Sequence, residues 1–349
     1  MFPVTEALTV PVLCTIFLTG SFIFGICWGS YFNVCIYRIP LGLSTSNPRR
    51  SYCFSCGSSL PASDNIPLLS YLLLGGHCRQ CGSGFSSRYF WIEVLCGVLF
   101  ALAAWQYAFT PALIAYWAFI GLMVVATFTD IDNWIIPDRI SIGGFVGGVA
   151  LTSILPFFDR TYVLYQNSLN SVSNVLAELL GGSRAIPLST IEYLRQFHYW
   201  DPVVDALAGA GFGFGMLWLI RVFGEMLFRK EAMGYGDLKL FACIGAFLGW
   251  LNTVYVLMLA CIVGSILGIG MLLRGRIIER AQRRAAAAAA IAAGDEAGAQ
   301  QAEGDRQLHA LPFGPYIALA AVLIMIFQKH VPAVLQAFSA GLDRLLLGE

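Results

Sequence analysis

Residues 112–138 read ALIAYWAFIGLMVVATFTDIDNWIIPD, and the change of character inside this stretch decides what kind of molecule the chain is. From Ala112 to Thr129 no side chain carries a formal charge. A helix on a soluble protein would be apolar on one stripe only. An apolar run of this length suits a membrane, whose hydrocarbon core takes roughly 20 such residues to cross. The run then stops, and Asp130, Asp132 and Asp138 follow in quick succession. The whole chain has the same bias: 349 residues, 58% of them hydrophobic and only 12% charged. A soluble domain would carry about 25% charged residues.

Working outward, comparable apolar runs occupy residues 11–37, 89–109, 140–157, 202–223, 238–273 and 313–327. Residues 238–273 are too long for one crossing and carry a turn-like break at Gly249, Trp250, Leu251 and Asn252, so they fold as two spans, the first short. The expected fold is therefore an all-α polytopic membrane protein of about eight transmembrane helices. The run at 11–37 is too long for a signal-peptide core and has no basic residue before it, so it is expected to be retained.

The loops divide by charge. Residues 38–88 hold Arg38, Arg49, Arg50, Arg79 and Arg88 against Asp64, and the segment after residue 273 holds Arg274, Arg276, Arg280, Arg283 and Arg284 against Glu279. Residues 158–201 have three Arg and four acids. Basic loops stay in the cytoplasm, which puts the first two inside, the third outside, and both termini outside. The expected organisation is a first transmembrane helix (1–37), a cytoplasmic loop domain (38–88), a transmembrane core (89–273, with 158–201 as its outer loop), a basic and Ala-rich linker (274–311), and a last helix with a C-terminal tail (312–349). Overall charge is balanced, 21 basic against 21 acidic side chains. No basic excess marks a nucleic-acid partner; the partner implied is the lipid bilayer.

Six of the ten cysteines (Cys14, Cys27, Cys35, Cys96, Cys243 and Cys261) lie in apolar runs, where a thiol packs as a small hydrophobe. The others, Cys53, Cys56, Cys78 and Cys81, form two C-x-x-C pairs in the polar loop, each followed by a glycine, Gly57 and Gly82. Two such knuckles can present four thiolates tetrahedrally to Zn²⁺. Two disulfides are the competing reading, against which stands the reducing compartment expected for this loop. A four-cysteine site is closed, so the metal would be structural, stapling a loop with little apolar material of its own.

Asp130 ends one apolar run, and Asp237 begins another in the stretch Met233-Gly234-Tyr235-Gly236-Asp237-Leu238-Lys239. In the expected topology both lie at the same depth on different helices. Ionisable groups in a span are costly and are functional candidates by default. Two close carboxylates share one proton, so one can deprotonate an attacking water while the other donates to a peptide carbonyl. Gly234, Gly236 and Lys239 are candidates for substrate and backbone approach, the glycines because they lack Cβ. Pro137 is expected to end helical structure soon after Asp130. Asp132 and Asp138 are read as water-facing or locally bonded, Asp132 pointing to nearly the opposite side of a helix from Asp130. The bland alternative, interfacial charges that merely end spans, stays open on these residues alone, as does a proton-coupled transporter using the aspartates as relays or a zinc-stapled scaffold without chemistry.

Taken together these features resemble the type IV prepilin peptidases, bifunctional leader peptidases and N-methyltransferases with a GxGD aspartyl centre. The likeness begins at Gly29-Ser30-Tyr31-Phe32-Asn33-Val34-Cys35-Ile36-Tyr37-Arg38-Ile39-Pro40. It continues through both C-x-x-C pairs and Asn65-Ile66-Pro67-Leu68-Leu69-Ser70-Tyr71, then Ser87-Arg88-Tyr89 with Glu93. The Asp130 to Asp138 segment, Gly234 to Lys239 and Leu311-Pro312-Phe313-Gly314-Pro315-Tyr316 complete it. The outer loop at 158–201 and the Ala-rich residues 285–304 are longer than the pattern. The resemblance implies a multi-pass protein of the bacterial inner membrane, with zinc loop and active site toward the cytoplasm. It implies Asp130 and Asp237 as catalytic residues that cut prepilins and pseudopilins after the glycine ending a short basic leader. It also implies N-methylation of the new terminus with S-adenosylmethionine, although no G-x-G-x-x-G in a strand–helix setting marks a site for that donor. A GxGD peptidase without the methyltransferase activity is the nearest alternative.

Overall fold

The computed structural model describes residues 11–48, 50–108, 110–154, 201–228, 233–292 and 313–327. The expected outer loop falls almost wholly outside them, as do most of the residues after 292. Within them the chain is helical, with no strand beyond two isolated bridges, Tyr52 with Ser59 and His77 with Gly84. The helices are α1 (Pro11–Arg38), a short α2 (Leu69–Leu73), α3 (Ser87–Tyr107), α4 (Ala112–Asn133), α5 (Asp138–Ile154), α6 (Asp201–Phe228), α7 (Tyr235–Ala292) and α8 (Gly314–Phe327). A 3-10 turn, Ala62–Asn65, precedes α2. Among the described residues, five helical stretches are long and apolar enough to cross a membrane, in α1, α3, α4, α6 and α7. α5 and α8, at 17 and 14 residues, are shorter.

The break anticipated near residue 250 is a single residue. Gly249 sits at φ 75, ψ 170 inside α7, a backbone conformation that L side chains rarely adopt, so glycine is what lets one long helix become two arms. α4 is the hub: it touches α1 and α3 on one side and α5 and α8 on the other. α7 packs against α5, α6 and α8. Phe119, Ile120 and Met123 of α4 are fully enclosed with Leu238, Phe241 and Ile244 of α7 and Ile317 and Met325 of α8.

In a bilayer, burying apolar surface does not drive helices together, because lipid is as apolar as a neighbour; close packing must do it. The two tightest seams are built accordingly. Gly25 and Gly29 of α1 lie against α3, where an added Cβ would come within 2.6 Å of the Cys96 carbonyl and 2.9 Å of Glu93 Cα respectively. Gly209 of α6 and Gly245 of α7 face each other so closely that a Cβ on either would strike the other's carbonyl. Some polar residues in the helices are satisfied locally, as buried Thr129 donates its hydroxyl to the carbonyls of Val125 and Ala126, 2.8 and 3.0 Å away, and others across helices, as Asn33 donates to the Tyr89 carbonyl at 3.1 Å.

Candidate active site and metal centre

Asp130 and Asp237 come together at one end of the bundle, at the C-terminus of α4 and the N-terminus of α7. Asp130 does not follow the apolar helix, as its sequence position suggests; α4 continues through Asn133, so Asp130 lies in its last turn and is buried. The helix is ended by Trp134 in the left-handed conformation (φ 56, ψ 27), its N–H bonded to the Asp130 carbonyl at 2.9 Å. Pro137 has a different task from the one anticipated. Its carbonyl accepts from Ile140 and Ser141 at 2.9 and 3.2 Å, opening α5.

Each carboxylate is held by the start of a helix. Asp237 is in the first turn of α7 and accepts the backbone N–H of Gly234, the residue before that helix. This is the reciprocal half of a capping box, satisfying an amide that has no partner inside the helix. Asp130 accepts the backbone N–H of Gly314, the first residue of α8. Both carboxylates thus lie at positive ends of helix dipoles, and they are close enough to feel each other electrostatically. A Cβ on Gly314 would collide with the Asp130 carboxylate. Between the two helix starts, Ile136 is wedged: Cβ atoms added at Gly236 and Gly314 would lie 3.2 Å from its Cβ and Cδ1. Gly236 therefore faces Ile136. Beside Gly234 there is room, with nothing nearer than 3.9 Å to an added Cβ.

The neighbouring acids are occupied. Asp132 takes a two-pronged ion pair from Arg88 at the start of α3, 2.5 and 2.8 Å. Asp138 takes Lys239, 2.6 Å from Nζ to Oδ1, so that lysine is engaged across the α5–α7 seam. Among the described residues neither Asp130 nor Asp237 has a cationic partner. Tyr235, between the two glycines, is exposed and lies under the Arg221 guanidinium, 3.7 Å from ring centre to Cζ. Arg221 itself pairs with Glu225 at 2.6 Å. Gly314, Ile136, Arg88 and Arg221 are the site residues that sequence reasoning did not single out. For Gly314 and Arg88 the segments were quoted but no role was legible, because each acts across the bundle on a residue far away in the chain.

The four loop cysteines do converge. Their sulfurs lie within 4.8 Å of one another, and Cys53 and Cys81 Sγ are 3.8 Å apart. A tetrahedral ion with metal–sulfur bonds of about 2.3 Å sets its sulfurs about 3.8 Å apart, so the donor set fits a metal. The two knuckles repeat one geometry. Cys53 N–H bonds Ser58 O at 2.9 Å and Cys78 N–H bonds Ser83 O at 2.8 Å. Gly57 and Gly82 close the turns at φ 71 and φ 70. The Ser83 hydroxyl lies 3.4 Å from Cys53 Sγ and 3.1 Å from Cys81 Sγ. Its hydrogen bond, helped by knuckle amides, lowers the Cys53 thiol to about 6 and lowers Cys81 as well, favouring the thiolate a metal requires, whereas the Cys78 thiol is pushed up by burial and by the neighbouring thiols of Cys81 and Cys53. Beside the knuckles, Asp64 is buried under a two-pronged bond from Arg79, 2.8 and 2.9 Å, which holds its carboxyl below the usual range.

Two family profiles match the chain: the Bacterial Peptidase A24 N-terminal domain over residues 23–107, and the Type IV leader peptidase family over residues 185–269. The first covers the cysteine loop, and the second includes Asp237 but not Asp130. Among curated relatives, a protein named prepilin leader peptidase/N-methyltransferase from Myxococcus xanthus is 35% identical over 74% of this chain and 64% of its own length. One of the same name from Klebsiella pneumoniae is 31% identical over 70% of this chain and 91% of its own. One from Pseudomonas putida is 28% identical over 91% of this chain and 93% of its own. No solved structure matches the chain at a significant level.

Proposed function

The chain belongs to the type IV leader peptidase family, and from that premise we propose that it is an intramembrane aspartyl endopeptidase whose working pair is Asp130 and Asp237. The substrates are prepilins and pseudopilins, cut after the glycine that ends a short basic leader, at the cytoplasmic face of the bacterial inner membrane. The observation that carries this reading is the contrast among the acids. Asp132 and Asp138 are neutralised by Arg88 and Lys239, whereas among the described residues Asp130 and Asp237 have no cationic partner and receive backbone N–H groups, close to each other. A carboxylate bound to a cation is a poor proton acceptor; a close pair without one can hold a single proton between two oxygens. The ionised member removes a proton from water as the water attacks the scissile carbonyl, and the protonated member donates to the carbonyl oxygen. Gly234 N–H and Gly314 N–H keep the two carboxylates oriented while that proton changes sides.

The loop cysteines are read as a structural Zn²⁺ site. All four ligand positions are protein thiolates, which leaves no open position for a water or substrate. The second activity is methylation of the new N-terminus, with S-adenosylmethionine as the donor, and the products serve type IV pili or type II secretion. A transporter reading fits less well, because it assigns no role to the metal loop.

The test is direct. Purified protein in detergent is incubated with a prepilin, and product mass is followed with and without S-adenosylmethionine. Loss of the leader and a gain of one methyl group at the new terminus are expected. Asp130→Asn and Asp237→Asn should leave the prepilin intact yet still methylate a pre-cut pilin. Cleavage by Asp130→Asn at the wild-type rate would refute the assignment of the pair. Cleavage without any mass gain would leave a peptidase only.

A further inference from the structure

Three of the segments that carry the family resemblance (Asn33 to Arg38, Asn65 to Tyr71, and Tyr89 to Glu93) contribute nothing to the aspartate pair. They converge instead on one cavity of about 180 Å³ between the end of α1, the cysteine loop, α2 and the start of α3. Two carboxylates line it. Asp64 is committed to Arg79. Glu93 is 8% exposed, accepts the Leu68 N–H at 2.8 Å, and among the described residues has no cationic partner. The amide that bonds it is held at a cost. Leu68 sits at φ 59, ψ −51, the centre of a γ-turn closed by Leu69 N–H to Pro67 O at 2.6 Å, a strained shape for a residue with a side chain. Strain of this kind persists where surrounding structure needs the geometry, and here it aims a donor at a buried carboxylate. Two basic side chains are on the wall, and both are engaged elsewhere: Arg38 Nη1 donates to the carbonyls of Ser44 and Pro48 at 3.2 and 3.0 Å with its guanidinium 6.0 Å from the Tyr52 ring centre, and His77 Nδ1 lies 2.7 Å from the Gly75 carbonyl.

Elsewhere the wall mixes polar side chains such as Ser30, Asn33 and Asn65 with aliphatic ones and with aromatic rings, the rings in two groups. Phe54 lies 4.9 Å from Tyr37 and 5.3 Å from Tyr52, ring centre to ring centre, and Tyr71 lies 5.5 Å from Phe90. Tyr37 and Phe54 are 42% and 57% exposed, so this side is open, whereas Glu93 is buried. An anion facing π surfaces in a partly dry cavity selects an organic cation, and flat rings on the open side suit a nucleobase. We propose that this cavity binds the methyl donor of the second activity, a nucleoside sulfonium, with the sulfonium centre toward Glu93 and the adenine against Tyr37, Tyr52 and Phe54. This placement rests on the methyltransferase reading above.

The chemistry balances with these residues. The lone pair of the pilin amine forms the new N–C bond as the C–S bond breaks, its electron pair passing to sulfur, which leaves as a neutral thioether. The resulting ammonium sheds one proton, and Glu93 is the carboxylate positioned to accept it. The geography also fits a hand-over. Tyr89 on the cavity wall follows Arg88, which grips Asp132, two residues from Asp130. A terminus freed at the aspartates therefore has its methylation site at the same end of the bundle.

The experiment uses the full chain in detergent. Ultraviolet cross-linking with methyl-labelled S-adenosylmethionine, followed by digestion, should put label on peptides from residues 51–77 or 85–93. Equilibrium binding should show that Glu93→Gln weakens S-adenosylmethionine about tenfold and S-adenosylhomocysteine less than twofold, since only the former carries the sulfonium charge. Metal content and thermal stability establish that the variant is folded, and Tyr52→Ala, on the open side, should weaken both ligands alike. Methyl transfer with label confined to α6 or α7, or equal weakening of both ligands by Glu93→Gln, overturns the placement alone. Absence of both binding and methyl transfer in the wild type overturns the placement together with the methyltransferase reading.

Discussion

The aspartate pair and the cysteine loop stand at the same end of the bundle but are assembled by opposite means. The loop is built from neighbours: each knuckle closes within a few residues, through Cys53 with Ser58 and Cys78 with Ser83. The aspartates are brought together by helix ends from remote parts of the chain, Asp130 on α4, Asp237 on α7 and Gly314 on α8. A site made locally tolerates movement of the helices around it. A site made of helix ends has its geometry set by the whole bundle, and a small displacement of one helix reaches both carboxylates. The two regions should therefore fail independently.

The largest effect expected is on the pair itself. Asp130→Asn or Asp237→Asn should lower leader cleavage by about 10²–10⁴-fold or more, the range for losing a positioned acid or base. Metal content by elemental analysis should stay near one zinc per chain, and loss of metal in either variant would break the separation drawn above. Gly314→Val comes next. Its Cβ has no space beside the Asp130 carboxylate, and a misplacement of about 1 Å can cost on the order of 10²-fold in rate. Cleavage assays and metal analysis on the same preparation should show the first reduced and the second unchanged.

From the other side, Cys53→Ser combined with Cys56→Ser should abolish metal binding and make the loop sensitive to protease. Cleavage should fall less than in the aspartate variants. Wild-type protein showing no zinc when freshly prepared and reduced would remove the metal assignment. Smaller still is Asp132→Asn, which breaks a half-exposed ion pair worth about 0–1 kcal/mol; cleavage should change by less than about tenfold. The least effect is at Asp64. Arg79 holds its carboxyl below the ordinary value, so the stabilisation is present above that ordinary value of about 3.9 and is lost as pH falls toward the lower folded value. Proteolysis of the loop in chelator-treated protein should be faster for Asp64→Asn than for wild type at neutral pH, and the two should converge below about pH 4.

Much of this was legible in the residues. An uncharged run such as Ala112 to Thr129 can only be a helix in lipid or in a large core, because no other element satisfies every backbone N–H and C=O internally. Gly249 marked the break in α7, since few other residues accept its backbone angles. The C-x-x-C pairs followed by glycine announced their own geometry, because everything that shapes a knuckle lies within six residues of its first cysteine. Asp130 and Asp237 were legible as candidates through the cost of placing a charge at the membrane edge.

What no local reading supplies is which acids are free to react. Helix geometry already sets Asp132 apart from Asp130 along the chain, but what holds each acid comes from elsewhere: Arg88, Lys239 and Gly314 arrive from three other helices. The cation that silences one carboxylate and the amide that orients another are set by helix packing, which depends on seams such as Gly25 and Gly29 on α3 or Gly209 on Gly245. Glu93 is the same case. In sequence it is one acid in an apolar run, and only the fold brings Leu68 to bond it and three separate segments to wall it in. Sequence determines which groups bear charge and which backbone can bend; their reactivity depends on the electrostatic company that tertiary contacts bring within a few ångströms.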